Sequence, residues 1–482
     1  MTRMKNFLAS AAELLGPRGL ISDKEAMAPW LTDWRGRYQG RACAMALPVS
    51  TDQVAKLVAL CSHHGVAIVP QGGNSGMSGG ATPDQSGEAL LLSLRCMTAI
   101  RNFDTDARQI TCEAGVILQS LQEAASAEKL RFPLTFGGRG SATVGGLVST
   151  NAGGTQVLRH GSMRSQVLGL EAVLASGDIF DALVPLKKDN RGFDLKQLLI
   201  GSEGTLGIVT AATLRLLPEI GGRVAAWVGM DDVRHARKLL LQLQDKLPES
   251  LESFEIMPAQ AMAAVLEHLP NARLPLQKNH PWHALIELTF SGGEDDGLNH
   301  KIAGLLSEFL DDGIIGDATI AANETQAEAF WTLRDSISAA ERALGPAMQH
   351  DISVPVPAMA DFIAKAIPLV EAHFPGAKGA AFGHLGDGNV HFHVLAPEGA
   401  APGKWESEQG PAVSRFVHDL VTSEGGSISA EHGIGQMKRD ELGRTGDPVQ
   451  LTMMRAVKGA LDPHGILNPG KLVPVATERS NP

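Results

Sequence analysis

Histidines and glycines are concentrated in one short stretch, residues 381–393, whose side chains could bind a metal ion. The stretch reads AFGHLGDGNVHFH and contains His384, His391 and His393 beside an acidic Asp387. Its glycines disfavour a helix and allow a tight turn, so the pattern predicts a strand, a glycine turn and a second strand. The period of two in a strand puts His391 and His393 on one side, and His384 and His391 can then be aimed at one ion.

A third ligand is offered by Glu431 and His432, which occur beside glycine in SAEHGIG, forty positions after His391. Two histidines and one carboxylate are a common ligand set for a catalytic zinc ion, because they leave a position open for water or substrate. The chain has 16 histidines, and a histidine is more often a surface or hydrogen-bonded core residue than a ligand. Spacing alone therefore leaves both interpretations open.

Length and composition place the chain among globular proteins with more than one core. At 482 residues it is expected to form two or three domains, and no apolar run approaches the ~18 residues of a membrane span. A net charge of -11 without a long basic cluster argues against nucleic acid as a partner. Four cysteines without CxxC spacing, and an N-terminal stretch that reads as an ordinary helix, predict a cytoplasmic protein.

Glycine-rich segments recur at residues 70–83, 136–154 and 200–218, and strand-like segments lie between them. The first segment lacks the lysine of a Walker loop and the following helix of a Rossmann turn. Its unhindered amide groups can still bind phosphates. Glycine-rich loops usually mean that the backbone approaches a ligand closely, so these residues predict one α+β domain along which an extended cofactor is bound.

The predicted domains are residues 1–220, 221–410 and 411–482. After Pro218 the sequence changes to amphipathic helices and strands without glycine loops, which predicts a separate α+β domain carrying substrate-binding groups. The last segment is rich in proline and glycine, and we expect it to dock on the first domain.

Six motifs occur in a fixed order: PQGGNSGMSGG, GGLVSTNAGG, KDNRGFDLKQLLIGSEGTLGIVT, GHLGDGNVH, AEHGIG and DPHGILNPGK. Together they resemble the FAD-linked D-2-hydroxyacid dehydrogenases of the vanillyl-alcohol oxidase and p-cresol methylhydroxylase superfamily, and the D-2-hydroxyglutarate dehydrogenases among them most. The resemblance implies an α+β fold with a bipartite FAD-binding domain of the p-cresol methylhydroxylase type. It also implies an α+β cap domain and a C-terminal segment that returns to the FAD domain.

The resemblance further implies which residues bind FAD. These are Gln71, Gly72, Gly73, Asn74, Ser75, Gly76, Ser78, Gly79, Gly80, Gly145, Gly146, Asn151, Gly153, Gly154, Glu203, Gly204, Ile208 and Asn468. Relatives with covalent flavin use a histidine or cysteine as the attachment point, and residues 70–80 contain neither. The resemblance therefore implies noncovalent FAD.

For the second site, the resemblance implies three metal ligands and one catalytic base. The ligands to Zn²⁺, or to another divalent ion such as Mn²⁺, are His384, His391 and Glu431, and the base is His432. The implied substrate-binding residues are Arg334, Ser338, Gln349, Asn389 and His393. Gln349 stands where the family usually has a lysine, and His393 stands where it has an asparagine, so the particular hydroxy acid stays open.

The expected reaction is the oxidation of a D-2-hydroxy acid, best D-2-hydroxyglutarate, to its 2-oxo acid. An electron-transfer flavoprotein, a quinone or a cytochrome would take the electrons, and membrane association would come only through such an acceptor. Alternatives are a D-lactate or glycolate dehydrogenase, an oxidase of the same fold, and a metal-dependent hydrolase or metal-binding module without flavin. A homodimer is the expectation from the prevalence of symmetric oligomers.

Overall fold

The computed structural model describes residues 2–290 and 297–475. Its strands are β1 Leu20–Ile21, β2 Ala44–Ala46, β3 Ile68–Gln71, β4 Leu90–Ser93, β5 Ile100–Asp104, β6 Gln109–Glu113, β7 Leu130–Arg131, β8 Val167–Val173, β9 Ile179–Ala182, β10 Ile208–Arg215, β11 Leu217–Pro218, β12 Gly222–Met230, β13 Leu251–Pro258, β14 Trp282–Phe290, β15 Asp317–Ile320, β16 Ala347–Ser353, β17 Lys378–His384 and β18 Asn389–Leu395.

The α-helices are α1 Thr2–Leu15, α2 Lys24–Met27, α3 Thr51–His64, α4 Leu118–Ala127, α5 Val144–Thr150, α6 Val157–His160, α7 Met163–Gln166, α8 Lys196–Leu199, α9 Val233–Lys246, α10 Ala259–His268, α11 Leu298–Asp311, α12 Glu324–Asp335, α13 Ile337–Leu344, α14 Met359–His373, α15 Lys404–Glu408, α16 Gly410–Ser423, α17 Arg439–Thr445 and α18 Pro448–Leu461. Short 3₁₀ turns occur at Ala28–Trp30 and Val356–Ala358. Among the described helices, none is long and apolar enough to cross a membrane.

The elements form two compact units. The described part of the first comprises the chain up to Gly153, then Gly161–Pro218 and the residues from His432 onward. The second comprises Gly154–His160 and Glu219–Glu431. Helix α16, which the predicted boundary at residue 410 assigned to the C-terminal segment, thus belongs to the second unit, and the chain returns to the first unit at His432.

The first unit contains two main sheets. One has the order β1-β2-β4-β3, with β2 and β3 parallel to β4, and the other has the antiparallel order β5-β6-β10-β8-β9. Helix α3 begins after Ser50, whose hydroxyl caps it by accepting from the Gln53 amide at 3.2 Å. It ends at Gly65, whose φ of 53° suits glycine. Its apolar face packs into the core beside the first sheet.

The second glycine-rich segment is not only a loop, because GGLVST folds as α5. The sequence interpretation assigned its glycines to loops, whereas Gly145 allows close packing inside a helix. A Cβ at Gly145 would lie 2.7 Å from the Ala114 Cβ, a separation that side chains do not tolerate. Asn151, with φ of 49°, ends the helix.

The second unit is built on one antiparallel seven-stranded sheet in the order β15-β12-β14-β13-β17-β18-β16. Alternate residues of β12 face opposite sides, with Ala226 and Val228 in one core and Ala225 and Trp227 in the other. Helices α9, α11, α14 and α16 contribute to the first of these cores, and α10, α12 and α13 to the second. The amphipathic helices predicted for this region are therefore confirmed.

The strand, turn and strand predicted within residues 381–393 are confirmed as the hairpin of β17 and β18, which spans residues 378–395. Its register places His384 opposite Asn389 and Phe382 opposite His391. The other edge of β18 pairs with β16, which places Gln349 directly opposite His393. The register of β16, β17 and β18 therefore determines which of the predicted site residues lie next to each other in the second unit.

Candidate functional site

The three predicted metal ligands come together in the second unit. One ligand atom from each of His384, His391 and Glu431 lies within 4.8 Å of the other two. His384 is the last residue of β17, His391 lies in β18, and the two rings are 5.5 Å apart. The hairpin that the glycines allow thus puts both imidazoles on one site.

Glu255, in the middle of β13, orients this cluster. Its Oε1 is 2.5 Å from the His384 Nδ1, and its Oε2 accepts from the Arg334 Nε and Nη2 at 2.8 Å. With Nδ1 engaged, Nε2 is the ring nitrogen left for an ion, and it lies 4.0 Å from the Glu431 Oε1. Carboxylates that hold a metal-binding histidine in this way are a general feature of metal sites.

The electrostatics of the cluster favour bound positive charge. Burial lowers the pKa of His384, but Glu255 more than offsets this and raises the pKa to about 9. Burial raises the pKa of Glu255, yet His384 and Arg334 together bring the pKa down to about 2. Burial also raises the pKa of the Glu431 carboxyl to about 7, with His384 opposing and Asp351 adding to the rise. A divalent cation would restore the charged form of Glu431.

Asp351 fixes the backbone of Glu431 and the side chain of Asn389. It accepts from the Glu431 amide at 2.9 Å and from the Asn389 Nδ2 at 2.8 Å. Within the described part of the chain, the buried Glu431 Oε1 accepts no hydrogen bond, and neither does the Asn389 Oδ1. An unsatisfied buried carboxylate oxygen beside two imidazoles is the donor set that Zn²⁺ prefers, so these residues fit a divalent metal ion.

The predicted substrate-binding residues lie around this cluster but are not equally available. Arg334, near the end of α12, is bound to Glu255 and lies 5.8 Å from the centre of the Phe382 ring. Ser338 lies in the first turn of α13 and is partly exposed. Gln349 and His393 face each other across β16 and β18. The two positions at which the chain departs from the family pattern are therefore direct neighbours.

In the first unit, the predicted FAD loop lies against residues 141–146. A Cβ would stand 1.7 Å from the Ser141 carbonyl oxygen at Gly73 and 2.2 Å from the Thr143 Oγ1 at Gly72, so only glycine fits. Apart from its two chain neighbours, no described residue lies within 4 Å of a Cβ placed on Gly76. The buried Thr143 hydroxyl has no hydrogen-bond partner among the described residues. Open backbone beside an unpaired hydroxyl fits a cofactor that carries phosphates.

The remaining polar residues of this loop make specific contacts. Gln71 donates to the carbonyls of Trp30 and Ala81 at 2.9 and 3.0 Å. Asn74 donates to the Thr32 carbonyl at 2.8 Å, with a φ of 52°. These bonds fix the base of the loop from within the first unit.

Glu203, Asn468 and Ser78 connect the loop to the AEHGIG segment. The Glu203 carboxylate accepts from the amides of Ile434 and Gly435 at 2.7 Å each. Burial raises the pKa of Glu203, and these two amides oppose the rise. Asn468 donates to the carbonyls of Gly80 and Glu203 at 3.0 and 2.7 Å.

The Ser78 hydroxyl lies 3.0 Å from the carbonyl oxygens of both His432 and Gly433. The backbone of the predicted base is thus held by residues that we had expected to line FAD.

Other predicted FAD residues have structural contacts of their own. Asn151 accepts from the Ser162 hydroxyl and the Arg164 amide at 2.9 Å each. Gly204, with φ of 71°, packs against Pro70, and Ile208 is buried at the start of β10. The rest are Ser75, Gly79, Gly146 and Gly153 in the first unit and Gly154 in the second.

Sequence reasoning missed Glu255, Asp351 and Thr143. A carboxylate inside LESFEIMP, a strand that is buried throughout, is a signal that could have identified Glu255. Asp351 could have been found only from the register of β16 with β18. Nothing in the local sequence distinguishes Thr143.

Two family models match the chain. The model described as FAD linked oxidases, C-terminal domain, matches residues 222–472, and the model described as FAD binding domain matches residues 42–182. The chain therefore belongs to the FAD-linked oxidases, and the predicted FAD-binding class is confirmed.

Among curated relatives, the mitochondrial D-2-hydroxyglutarate dehydrogenase of Arabidopsis thaliana is 36% identical over 96% of this chain and 80% of its own. The corresponding protein of Bos taurus is 36% identical over 96% and 83%. A putative mitochondrial D-lactate dehydrogenase of Schizosaccharomyces pombe is 32% identical over 97% and 89%. The predicted resemblance to D-2-hydroxyglutarate dehydrogenases is thus confirmed.

Solved structures support the same fold. A p-cresol methylhydroxylase with bound substrate aligns with a TM-score of 0.74 at 17% identity, covering 98% of this chain and 97% of that one. An alkyldihydroxyacetonephosphate synthase aligns with a TM-score of 0.73 at 16% identity, covering 96% and 84%. The predicted α+β fold of the p-cresol methylhydroxylase type is confirmed.

Proposed function

We propose that this protein is an FAD-dependent, metal-assisted dehydrogenase that oxidises D-2-hydroxyglutarate, or a D-2-hydroxy acid close to it, to the 2-oxo acid. The observation that carries the proposal is the cluster of His384, His391 and Glu431 in a chain of the FAD-linked oxidase family. The near full-length similarity to relatives named D-2-hydroxyglutarate dehydrogenase supports the choice of substrate.

The first unit would hold FAD noncovalently through its glycine-rich loops. The close approach of Gly72 and Gly73 to residues 141–146 keeps backbone amides unhindered, and Thr143 supplies a hydroxyl. When bound, FAD supplies the acceptor for the C2 hydrogen and two electrons. Glu203 and Ser78 would keep the backbone after Glu431 in place, so that His432 can accept the hydroxyl proton.

The second unit would hold Zn²⁺, or another divalent ion such as Mn²⁺, on His384, His391 and Glu431. Such an ion lowers the pKa of a 2-hydroxyl group that it chelates together with the C1 carboxylate. The protein's own contribution is orientation. Glu255 fixes the ring of His384, and Asp351 fixes the backbone of Glu431.

The substrate would be recognised by Arg334, Ser338, Asn389, Gln349 and His393. Charge-assisted hydrogen bonds from Arg334 and hydrogen bonds from Ser338 can bind carboxylate groups. Arg334 is already paired with Glu255, and this pairing preserves its orientation before the acid arrives.

An electron-transfer flavoprotein or a quinone is the electron acceptor that we propose, and a homodimer is the proposed assembly. We propose a cytoplasmic location, with membrane association only through the acceptor. The similar relatives are named mitochondrial, which makes fractionation of the source cells the direct measurement of location.

Anaerobic bleaching of the bound flavin tests the proposed function. The purified holoprotein is mixed with D- and L-2-hydroxyglutarate, D-lactate and glycolate in separate cuvettes without oxygen. We expect D-2-hydroxyglutarate to bleach the flavin faster than its L isomer. If dithionite bleaches the flavin but no D-2-hydroxy acid does, the proposal is wrong.

A further inference from the structure

The segment that connects β9 to α8 exposes several large apolar side chains. Phe193 is 93% exposed and Val184 is 77% exposed. An apolar side chain that stands alone at a surface is ordinary, whereas a concentration of them is typical of a site that another molecule covers. Within residues 184–198, the exposed large apolar residues are Val184, Leu186, Phe193, Leu195 and Leu198.

The first unit holds both ends of this segment. At its start, β9 pairs with β8. At its end, Arg164 donates to the backbone and side-chain oxygens of Gln197 at 2.7 and 2.8 Å. Between the ends, residues 186–195 are all exposed, and the Arg191 side chain bonds to Asp189 within the segment at 2.7 Å. Phe193 therefore protrudes from a segment whose two ends are anchored.

A cavity of about 490 Å³ lies beside the same segment. It opens to solvent, since Met453 in its wall is 64% exposed. Cavities of this volume hold small organic molecules, so this one has room for an aromatic side chain and an aliphatic neighbour. Most of its lining is apolar and includes Leu198, Leu206, Met453, Met454, Val457 and Leu472.

The exposed ring and the cavity lie close together in the first unit. Phe193 precedes Leu198, a residue of the cavity wall, by five positions, and five residues span at most about 18 Å. A protein that carries a protruding apolar side chain near an apolar cavity can bind its own copy about a two-fold axis. Each copy then fills the cavity of the other, and the two contacts are equivalent.

The charges of the two features are complementary. Residues 184–198 contain four basic and two acidic side chains, so this segment is positive in a chain of net charge -11. The exposed Asp447 lines the cavity and caps α18, where it accepts from the amides of Val449 and Gln450 at 3.0 and 2.9 Å. The carboxylate of one copy would therefore attract the positive segment of another copy as it approaches the cavity.

We propose that this surface is the interface of a homodimer, in which Phe193 of each copy inserts into the cavity beside α18 of the other copy. The inference rests on the assembly proposed above, for which it names the interface, and is independent of the proposed chemistry. A partner of different sequence would have to supply both a matching apolar side chain and a matching cavity. This chain already carries both.

Sedimentation velocity of the holoprotein over a range of concentrations tests the interface. Phe193→Ser removes the inserted ring, and Met453→Lys places a positive charge at the opening of the cavity. Both side chains are exposed, so neither change disturbs the core. Truncation of a central interface residue weakens binding about 30-fold, and each variant homodimer loses two equivalent contacts. We therefore expect the Kd for dimerisation to rise about 1000-fold in either variant.

A mixture of the two variants shows whether the contact joins different copies. The Phe193→Ser copy keeps an intact cavity, and the Met453→Lys copy keeps the phenylalanine, so a mixed dimer retains one of the two contacts. We expect the mixture to dimerise about 30-fold more tightly than either variant alone. The matched control is Leu241→Ser, which removes an exposed apolar side chain from α9 in the second unit and should leave the Kd unchanged.

Three results would overturn the inference: a wild type that stays monomeric, a dimer whose Kd neither variant changes, and a mixture that does not restore dimers. The last is also the result expected if Phe193 enters the cavity of its own copy. Bleaching of the flavin by D-2-hydroxyglutarate, measured on the same samples, reports the proposed function separately. If the wild type and variants dimerise as expected but no acid bleaches the flavin, the proposed function fails and the interface stands.

Discussion

Replacing Glu255 by glutamine should separate metal binding from FAD binding. The carboxylate accepts from both the His384 Nδ1 and the Arg334 guanidinium, whereas an amide has one oxygen and one NH₂ group. If the oxygen faces Arg334, the NH₂ group donates to Nδ1 and places the ring proton on Nε2, the nitrogen that the metal needs. If the oxygen faces His384, the NH₂ group points toward the Arg334 donors and leaves them without an acceptor.

The expected magnitudes follow from these two arrangements. Loss of a carboxylate that orients a metal-binding histidine lowers metal affinity by about 10- to 100-fold. Glu255 is 1% exposed at its side chain and Arg334 12%, so breaking the pair should also cost about 3 to 5 kcal/mol of unfolding free energy. FAD content should stay near that of the wild type, since the predicted FAD-binding loop at residues 70–83 belongs to the first unit.

The assay is a competitive zinc titration with a chelating dye on the metal-stripped protein, with flavin absorbance and thermal melting measured on the same samples. Glu252→Gln is the matched control. Glu252 lies on the same strand, its side chain is equally buried, and it is also paired with an arginine, Arg159, at 2.8 Å. We expect Glu252→Gln to lower stability but to keep metal affinity. Equal zinc affinity in both variants and the wild type would refute the reasoning.

Four further predictions follow from the same contacts. Acid precipitation should release the flavin into the supernatant, because the loop at residues 70–80 offers no histidine or cysteine for covalent attachment, and a yellow pellet would contradict this. Glu431→Ala should lose both the bound metal and the reduction of the flavin while it retains FAD, and elemental analysis and absorbance measure these changes. Activity of the wild type that survives exhaustive chelation would show that the ion is not needed. Gln349→Lys should raise kcat/KM for D-2-hydroxyglutarate about tenfold more than for D-lactate, because a lysine adds a full charge opposite His393, and equal gains would place residue 349 away from the far end. Burial lowers the pKa of Lys471 to about 8, so the unfolded state binds more protons than the folded state between about pH 8 and 10.5. The free energy of unfolding should therefore rise by about 3 kcal/mol across that range in the wild type relative to Lys471→Met. Denaturant titration at several pH values measures this difference.

Local patterns in the sequence predicted the parts of the site that local physics determines. The hairpin of β17 and β18 follows from period-two spacing and a glycine turn, and it was enough to place His384 and His391 together. The N-cap of α3 at Ser50 and its C-terminal end at Gly65 are local features of the same kind.

Long-range pairing determines the rest. Glu255 meets His384 only because β13 pairs with β17, across 129 positions of sequence. The facing of Gln349 and His393 likewise depends on the register of two strands that no local pattern connects. Glycine was ambiguous for a different reason: Gly145 serves close packing within a helix, whereas Gly388, with φ of 84°, permits the hairpin turn.

Glu255 has a thermodynamic consequence because one carboxylate is bonded to two groups with different proposed ligands. His384 would bind the ion and Arg334 would bind the acid. Because Glu255 contacts both residues, binding of either ligand would change the electrostatic environment of the other. By linkage, whatever factor the acid applies to the affinity for the ion, the ion must apply to the affinity for the acid. The affinity for the metal ion would then depend on the substrate concentration, and the affinity for the substrate on the metal concentration. A measured value of either affinity therefore needs the concentration of the other ligand beside it.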